Sequence, residues 1–291
     1  MVVLVTGASG QLGQCLQFIA KNYPEIDFVF CNSNALDITN YDSVSNVFSQ
    51  YNPNYCINAA AYTAVDKAET ELEKARNINV KGSENIAKIC KLHHTILLHV
   101  STDFVFDGTV NPSLKPDGYN EQDIPNPTGV YAQTKREGEI VIQETWASHF
   151  IIRTSWVYSQ FGANFMKTML RLGAERDTLS VVNDQIGTPT NAVDLAETLL
   201  KIITIHSQHP LPNTLFGIYN FSNEGQCSWY DFAKEIFKLN HLTIDLKPIP
   251  TTAYPTPAKR PAFSVLDKSK IKHTFNIPIL DWKESLKTIK V

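Results

Sequence analysis

The stretch VVLVTGASGQLG, residues 2–13, constrains this chain more than any other. Residues 2–6 read as a short buried strand, and the glycines Gly7, Gly10 and Gly13 follow it without a gap. They open a helix predicted from about Leu12 to Lys21. Each glycine answers a separate steric demand: a sharp turn, close approach of the backbone to a pyrophosphate, and tight packing of helix on strand. The helix start then offers unpaired N–H groups and the positive end of a dipole to an anion. A glycine triplet in this setting points to a dinucleotide. An acidic residue at the end of the second strand usually holds the adenosine ribose. Here that place falls on Cys31-Asn32-Ser33, with neither a carboxylate to repel a 2′-phosphate nor an arginine to bind one, so NADH and NADPH both stay open. Asp37 and Ile38, a few residues on, are within range of the adenine.

Apolar runs alternate with helical ones through the first half. Strands are predicted over 2–6, 27–31, 55–61, 95–102 and 150–155, with helices between them, one from about Tyr41 to Gln50 capped by Thr39. The runs are continuous, as in strands buried on both faces. The expected fold is therefore α/β, a Rossmann-type doubly wound parallel sheet, joined to a smaller mixed α/β substrate domain. The dinucleotide-binding domain is assigned residues 1–154, with about 178–222 returning to the sheet, and the substrate domain about 155–177 and 223–291. In that second half, helices are predicted from about Asn164 to Gly173 and from Ala192 to about Ile205, a further one opening at Ser228 and Asp231, and a last one from about Trp282. Residues 248–265 are too proline-rich for regular structure.

Composition narrows the partners. Net charge is −3 with no basic block, so nucleic acid finds no electrostatic footprint. No apolar run reaches the length of a membrane span, and the first residues read as a strand and not as a signal peptide. Five scattered cysteines, Cys15, Cys31, Cys56, Cys90 and Cys227, form no CxxC pair, which suits a reducing cytoplasm. His93, His94, His206 and His209 lack a convincing third metal ligand and read as surface or turn residues.

The chemistry-bearing residues follow the fourth predicted strand. HVSTDFVFDG, residues 99–108, ends that strand with Ser101-Thr102-Asp103, and YAQTKREGE, residues 131–139, places Tyr131 and Lys135 one helical turn apart. Hydride added to a carbonyl carbon leaves charge on oxygen that must be protonated. A free phenol, with a pKa of about 10, is a sluggish donor at neutral pH. An ammonium about 4 Å away is worth about 4 kcal/mol at an effective dielectric of about 20, enough to bring Tyr131 toward pH 7. Lys135 could also hold the nicotinamide ribose. Thr102 would share the charge developing on the carbonyl oxygen. NAAAYTAVDKAE, residues 58–69, ends the third strand with small residues that let a dinucleotide lie close.

These motifs, with IIRTSWVY, NFMKTMLRL, LSVVNDQIGTPT and AYPTPAKRP on the substrate side, resemble the dTDP-4-dehydrorhamnose reductase family of extended short-chain dehydrogenases/reductases along nearly the whole chain. The resemblance implies reduction of a dTDP-linked 4-keto sugar by NADPH, with NADH also admitted. It implies that Gly10, Gln11 and Leu12 line the pyrophosphate, Asp37 and Ile38 contact adenosine, and Ala61, Tyr62 and Thr63 border the dinucleotide. Tyr131 becomes the proton donor, Lys135 the ribose holder, and Thr102, Asp103 and Trp156 the sugar contacts. Arg260 is a candidate for the diphosphate, since its planar fork suits phosphate. Some family members join two subunits through glutamate-bound magnesium. The corresponding positions here, Cys15, Val193 and Lys283, offer no hard oxygen ligand, so no metal is expected and the chain reads as a monomer or homodimer.

Other readings share the fold. A sugar-nucleotide 4,6-dehydratase needs an extra acid/base pair after the threonine, where this chain has Asp103-Phe104. A 4-epimerase shares the chemistry but lacks the SWVY and NDQIGTPT pattern; another sugar-nucleotide 4-ketoreductase would leave these residues nearly unchanged; and a non-catalytic NADP-binding regulatory subunit would resemble the chain throughout, though intact Tyr131, Lys135 and Thr102 argue against it.

Overall fold

The computed structural model describes residues 1–208, 212 and 215–289. From the amino terminus the chain alternates β1 (Val2–Thr6), α1 (Gln11–Ile19), β2 (Asp27–Cys31), α2 (Tyr41–Tyr51) and β3 (Tyr55–Asn58). Helices α3 (Val65–Ala68), α4 (Leu72–Arg76) and α5 (Ser83–His93) follow, with the turn Asn77–Gly82 between the last two wound as π-helix. Then come β4 (Ile96–Thr102), α6 (Val130–Thr145) and β5 (His149–Thr154). The cap of α2 is Asn40, not Thr39: its side chain accepts from the Ser43 amide, while Thr39 bonds Asp37.

The second half contains β6 (Val157–Tyr158), α7 (Phe165–Glu175), β7 (Thr178–Val182), β8 (Ile186–Gly187), β9 (Thr190–Asn191), α8 (Ala192–Gln208) and β10 (Gly217–Asn220). It continues with β11 (Cys227–Ser228), α9 (Trp229–Leu239), β12 (Asp245–Ile249), α10 (Ser269–Phe275) and α11 (Trp282–Lys287). Six strands form one parallel sheet in the order β10-β5-β4-β3-β1-β2. The order reverses between β1 and β3, which puts the ligand crevice of a doubly wound sheet beyond the carboxyl end of β1.

One face of the sheet, through Val3, Val5, Ile57, Leu98 and Phe150, packs on α1, α8 and α10. The other, through Leu4, Cys56, Leu97 and Ile151, packs on α2, α5 and α6. All five cysteines are free and buried. A third apolar cluster unites α7, α9 and α11. Beside it, β7 pairs with β12 outside the central sheet. The crossing back therefore begins at α8, not near residue 178, and Ile271 and Phe275 of α10 join the first core although they lie past residue 223. Helix α10 and strand β12 went unforeseen, and β12 occupies the start of the segment read as irregular. His209 lies outside the described residues. His206 is half-buried, 2.8 Å from the Tyr55 hydroxyl, and His94 ends α5 at a positive φ.

Candidate active site

The phosphate loop sits at the point where the strand order reverses. Gly7 has a φ of +67°, and a Cβ there would lie 2.8 Å from the Ala59 backbone at the end of β3. A Cβ on Gly13 would lie 2.4 Å from the Gly7 carbonyl oxygen, so only glycine lets α1 close onto the turn. Gly10 caps α1 without a side-chain bond. The amides of Gln11, Leu12 and Gly13 precede the first intrahelical bond and stay free for an anion. The Gln11 side chain faces elsewhere: it donates to the Val157 carbonyl and accepts from Asn164, tying the loop to the second half of the chain. Leu12 packs against the core. At the loop both residues therefore present their backbone amides. Asp37 is exposed past the end of β2, and Ile38 is buried against Gly82. Around Ala61, Tyr62 and Thr63 the main chain is fixed by buried Asn79, whose amide accepts from the Tyr62 N–H and donates to its carbonyl. The Tyr62 ring turns away, its hydroxyl donating to Glu71. Asn79 belongs to the π-helical turn, a local irregularity common at functional sites.

Thr102, Asp103, Tyr131 and Lys135 converge beyond the carboxyl end of β4. The Thr102 hydroxyl donates to Asp103 Oδ1 at 3.1 Å and accepts from the Phe104 amide. Phe104 packs edge-on to Tyr131, with centroids 5.7 Å apart. Lys135 is 2% exposed and donates to the Val100 carbonyl at 2.8 Å. Helix α6 is held down by Glu139, one turn past Lys135. The buried carboxylate takes two bonds from Arg153 at 2.9 and 2.7 Å, one from Ser101 at 2.6 Å and one from Arg136 at 2.9 Å. Ser101 thus serves the support of α6 and not the cleft.

The electrostatics differ from the sequence expectation. Burial pushes the Tyr131 phenol up to about 12, with Asp103 adding to the rise and Thr102 opposing it. Lys135 does not soften it in this state, because its ammonium is turned toward Val100. Burial lowers Lys135 from the usual 10.5 to about 8, against the pull of Glu139. Asp103, fully buried with Oδ2 unpartnered, rises to about 6, also through burial, while Ser264 and Thr102 work against the shift.

A cavity of about 960 Å³ opens beside these residues, and its wall includes Phe104, Trp156, Trp229, Arg176, Arg260 and Ser264. Trp156, at a φ of +46°, stacks on Trp229 with centroids 3.5 Å apart. Arg260, expected to be available to a diphosphate, is held by Asp66 of α3. Cys15 is sealed in the core, Val193 lies on α8, and Lys283 is exposed on α11. A thiol, an alkyl group and an ammonium do not make a magnesium site. Sequence reading passed over Asp66, Asn79, Glu139 and His99. Glu139 carried a local signal, an acid four residues past Lys135 on the same helical face, and His99 stood out only as a polar residue inside an apolar run.

A family model described as the RmlD substrate binding domain matches residues 1–290. The chain belongs to the RmlD family. A dTDP-4-dehydrorhamnose reductase of Aggregatibacter actinomycetemcomitans is 43% identical to this RmlD-family chain over 99% of it and 98% of the relative. A solved dTDP-4-dehydrorhamnose reductase from Clostridium acetobutylicum superposes with a TM-score of 0.92 at 39% identity, covering 99% and 98% of the two chains. One from Bacillus anthracis, solved in complex with NADP, gives 0.91 at 38% identity with the same coverage.

Proposed function

We propose that this protein is an NAD(P)H-dependent oxidoreductase that reduces the 4-keto group of dTDP-4-dehydro-β-L-rhamnose to dTDP-L-rhamnose. The observation that carries this reading is the convergence of Tyr131, Thr102 and buried Lys135 beside a large cavity, next to a phosphate loop shaped for a dinucleotide.

The residues present fit the cofactor. Gly7, Gly10 and Gly13 leave room for a pyrophosphate, and the amides of Gln11 and Leu12 bind it. Asp37 and Ile38 border the adenosine, the backbone of Ala61, Tyr62 and Thr63 borders the dinucleotide, and Lys135 holds its ribose. NADPH is the preferred carrier, NADH being admitted by the same open end of β2. When bound, the reduced nicotinamide supplies hydride.

The rest is done by side chains. Tyr131, its phenol held up at about 12, is fully protonated at neutral pH and hands a proton to the sugar oxygen. In the loaded site Lys135, beside the ribose, stabilises the phenolate that forms, and to that extent lowers the phenol from the value burial gives it here. Thr102 turns its hydroxyl to the same oxygen, and Asp103 accepts from the sugar. Trp156 flanks the ring, and Arg260 and Arg176 suit the diphosphate. No metal enters this reading. Free, buried thiols fit a reducing cytoplasm, where such a monomer or homodimer would work.

The test is oxidation of NADPH on adding dTDP-4-dehydro-β-L-rhamnose, with UDP- and GDP-linked 4-keto sugars alongside. Turnover restricted to the dTDP sugar and strongly reduced by Tyr131→Phe is the expected result. Cofactor binding without turnover of any 4-keto sugar would leave only a nucleotide-binding scaffold.

A further inference from the structure

We propose that His99 is a positioning residue for Lys135, the last member of a polar row, Thr6–Asn58–His99, that crosses three strands and fixes the ammonium at the cofactor crevice. The proposal rests on the role given to Lys135 above.

The row is a product of strand register. Thr6 of β1 is paired with Asn58 of β3, and Asn58 with His99 of β4. Two residues earlier, on the same face, the partners are Leu4, Cys56 and Leu97, all apolar and fully buried. The sheet therefore shows that this face can be closed by hydrocarbon. One step nearer the crevice it instead carries three polar side chains, none more than 1% exposed. Such groups cost about 1–3 kcal/mol each if left unpaired, and their side chains are paired with one another and with the lysine, Thr6 also accepting from the Ala60 amide at 3.4 Å. Thr6 Oγ1 lies 2.7 Å from Asn58 Oδ1, Asn58 Nδ2 lies 3.1 Å from His99 Nδ1, and His99 Nε2 lies 3.4 Å from Lys135 Nζ.

An ammonium has three N–H donors and a neutral imidazole one acceptor nitrogen. Val100 takes one donor of Lys135 and His99 a second, which leaves the third for the crevice. Burial and the Lys135 charge keep His99 neutral, with His149 of β5 adding to that effect. With Nε2 accepting, the proton sits on Nδ1 and needs an oxygen. The Asn58 amide supplies one when its oxygen faces the ring and its nitrogen faces Thr6, an orientation of the same size and reach. The groups acting on this pair are then Glu139 from α6, His149 from β5, Asn58 from β3 and the Val100 carbonyl from β4.

The experiment compares wild type, His99→Phe and His99→Gln by two readouts against pH: kcat/KM, and the dissociation constant of NADPH from its fluorescence. His99→Phe removes the acceptor, so the ammonium is lost at lower pH. The alkaline limb of both profiles is expected to move down by about one pH unit, with roughly tenfold weaker NADPH binding near that limb. Glutamine, whose amide oxygen can accept, is expected to restore much of the shift. Should His99→Phe not fold, His99→Asn, too short to reach Lys135, takes its place with the same expected shift. Limbs unmoved in the folded variant, or glutamine no better than phenylalanine, would overturn the proposal. A wild type that binds NADPH but reduces no sugar sinks the reductase reading, while the binding profile still decides the role of His99.

Discussion

Asp66 and Arg260, 194 residues apart, meet in a two-pronged ion pair with N–O distances of 2.8 and 2.7 Å. The Asp66 carboxylate also accepts from the Ala258 amide at 3.2 Å, so α3 pins the proline-rich segment at the cavity wall. The Arg260 side chain holds its carboxyl partner below the usual range. Both side chains are partly exposed, and such a pair contributes at most about 1 kcal/mol to stability. A charge-assisted bond to a diphosphate is worth more, about 1.5–3 kcal/mol. Arg260→Met is expected to raise KM for the dTDP sugar by about 10- to 100-fold, with NADPH affinity and melting temperature little changed. Steady-state kinetics with a parallel melting curve decide it. A lowered melting point with KM unmoved would mark the pair as a structural tie only.

The pH profile of kcat/KM should show its alkaline limb near 8, the value to which burial lowers Lys135, and not near 12, where the Tyr131 phenol ionises. Stability should move the opposite way. Lys135 binds its proton less readily folded than unfolded, so between about 8 and 10.5 the unfolded chain holds more protons and stability rises with pH. Denaturant melts at stepped pH, beside the rate profile, test both signs. Tyr131→Phe should cost about 10²- to 10⁴-fold in kcat, the usual worth of a general acid.

Glu139→Gln leaves Arg153, 1% exposed, without a counter-charge in the interior. Breaking a buried pair from one side costs about 3–5 kcal/mol. The variant is expected to lose that much in urea unfolding, and to lose activity through displacement of α6 even at temperatures where it stays folded.

Gly13→Ala places a methyl group against backbone 2.4 Å away, a neighbour that cannot swing aside. The loop must open to admit it. NADPH binding by fluorescence titration should weaken by more than about tenfold, while binding of free dTDP, which has no use for the loop, should be retained.

Much of the architecture was legible because its signals are local. Continuous apolar runs mark buried strands, three glycines mark a turn, and a tyrosine and lysine four apart share a helical face. What escaped depends on pairing between distant segments. Asp245–Ile249 carries lysine and proline, and becomes a strand only because Thr178–Val182 lies beside it. The Thr6–Asn58–His99 row exists only once three strands are in register. Asp66 carries no local signal, since its partner is 194 positions away. The acidity of the phenol escapes sequence for a related reason: spacing gives the lysine's position on the helix, but not the direction of its ammonium or the depth of burial.

Glu139 receives hydrogen bonds from β4, β5 and α6 at once. This rivets the floor beneath Tyr131 and Lys135, which cannot tilt without tearing a guanidinium from its counter-ion. Whatever enters the cavity therefore finds phenol and ammonium already set, while the wall carries Arg260, whose anionic partner is Asp66.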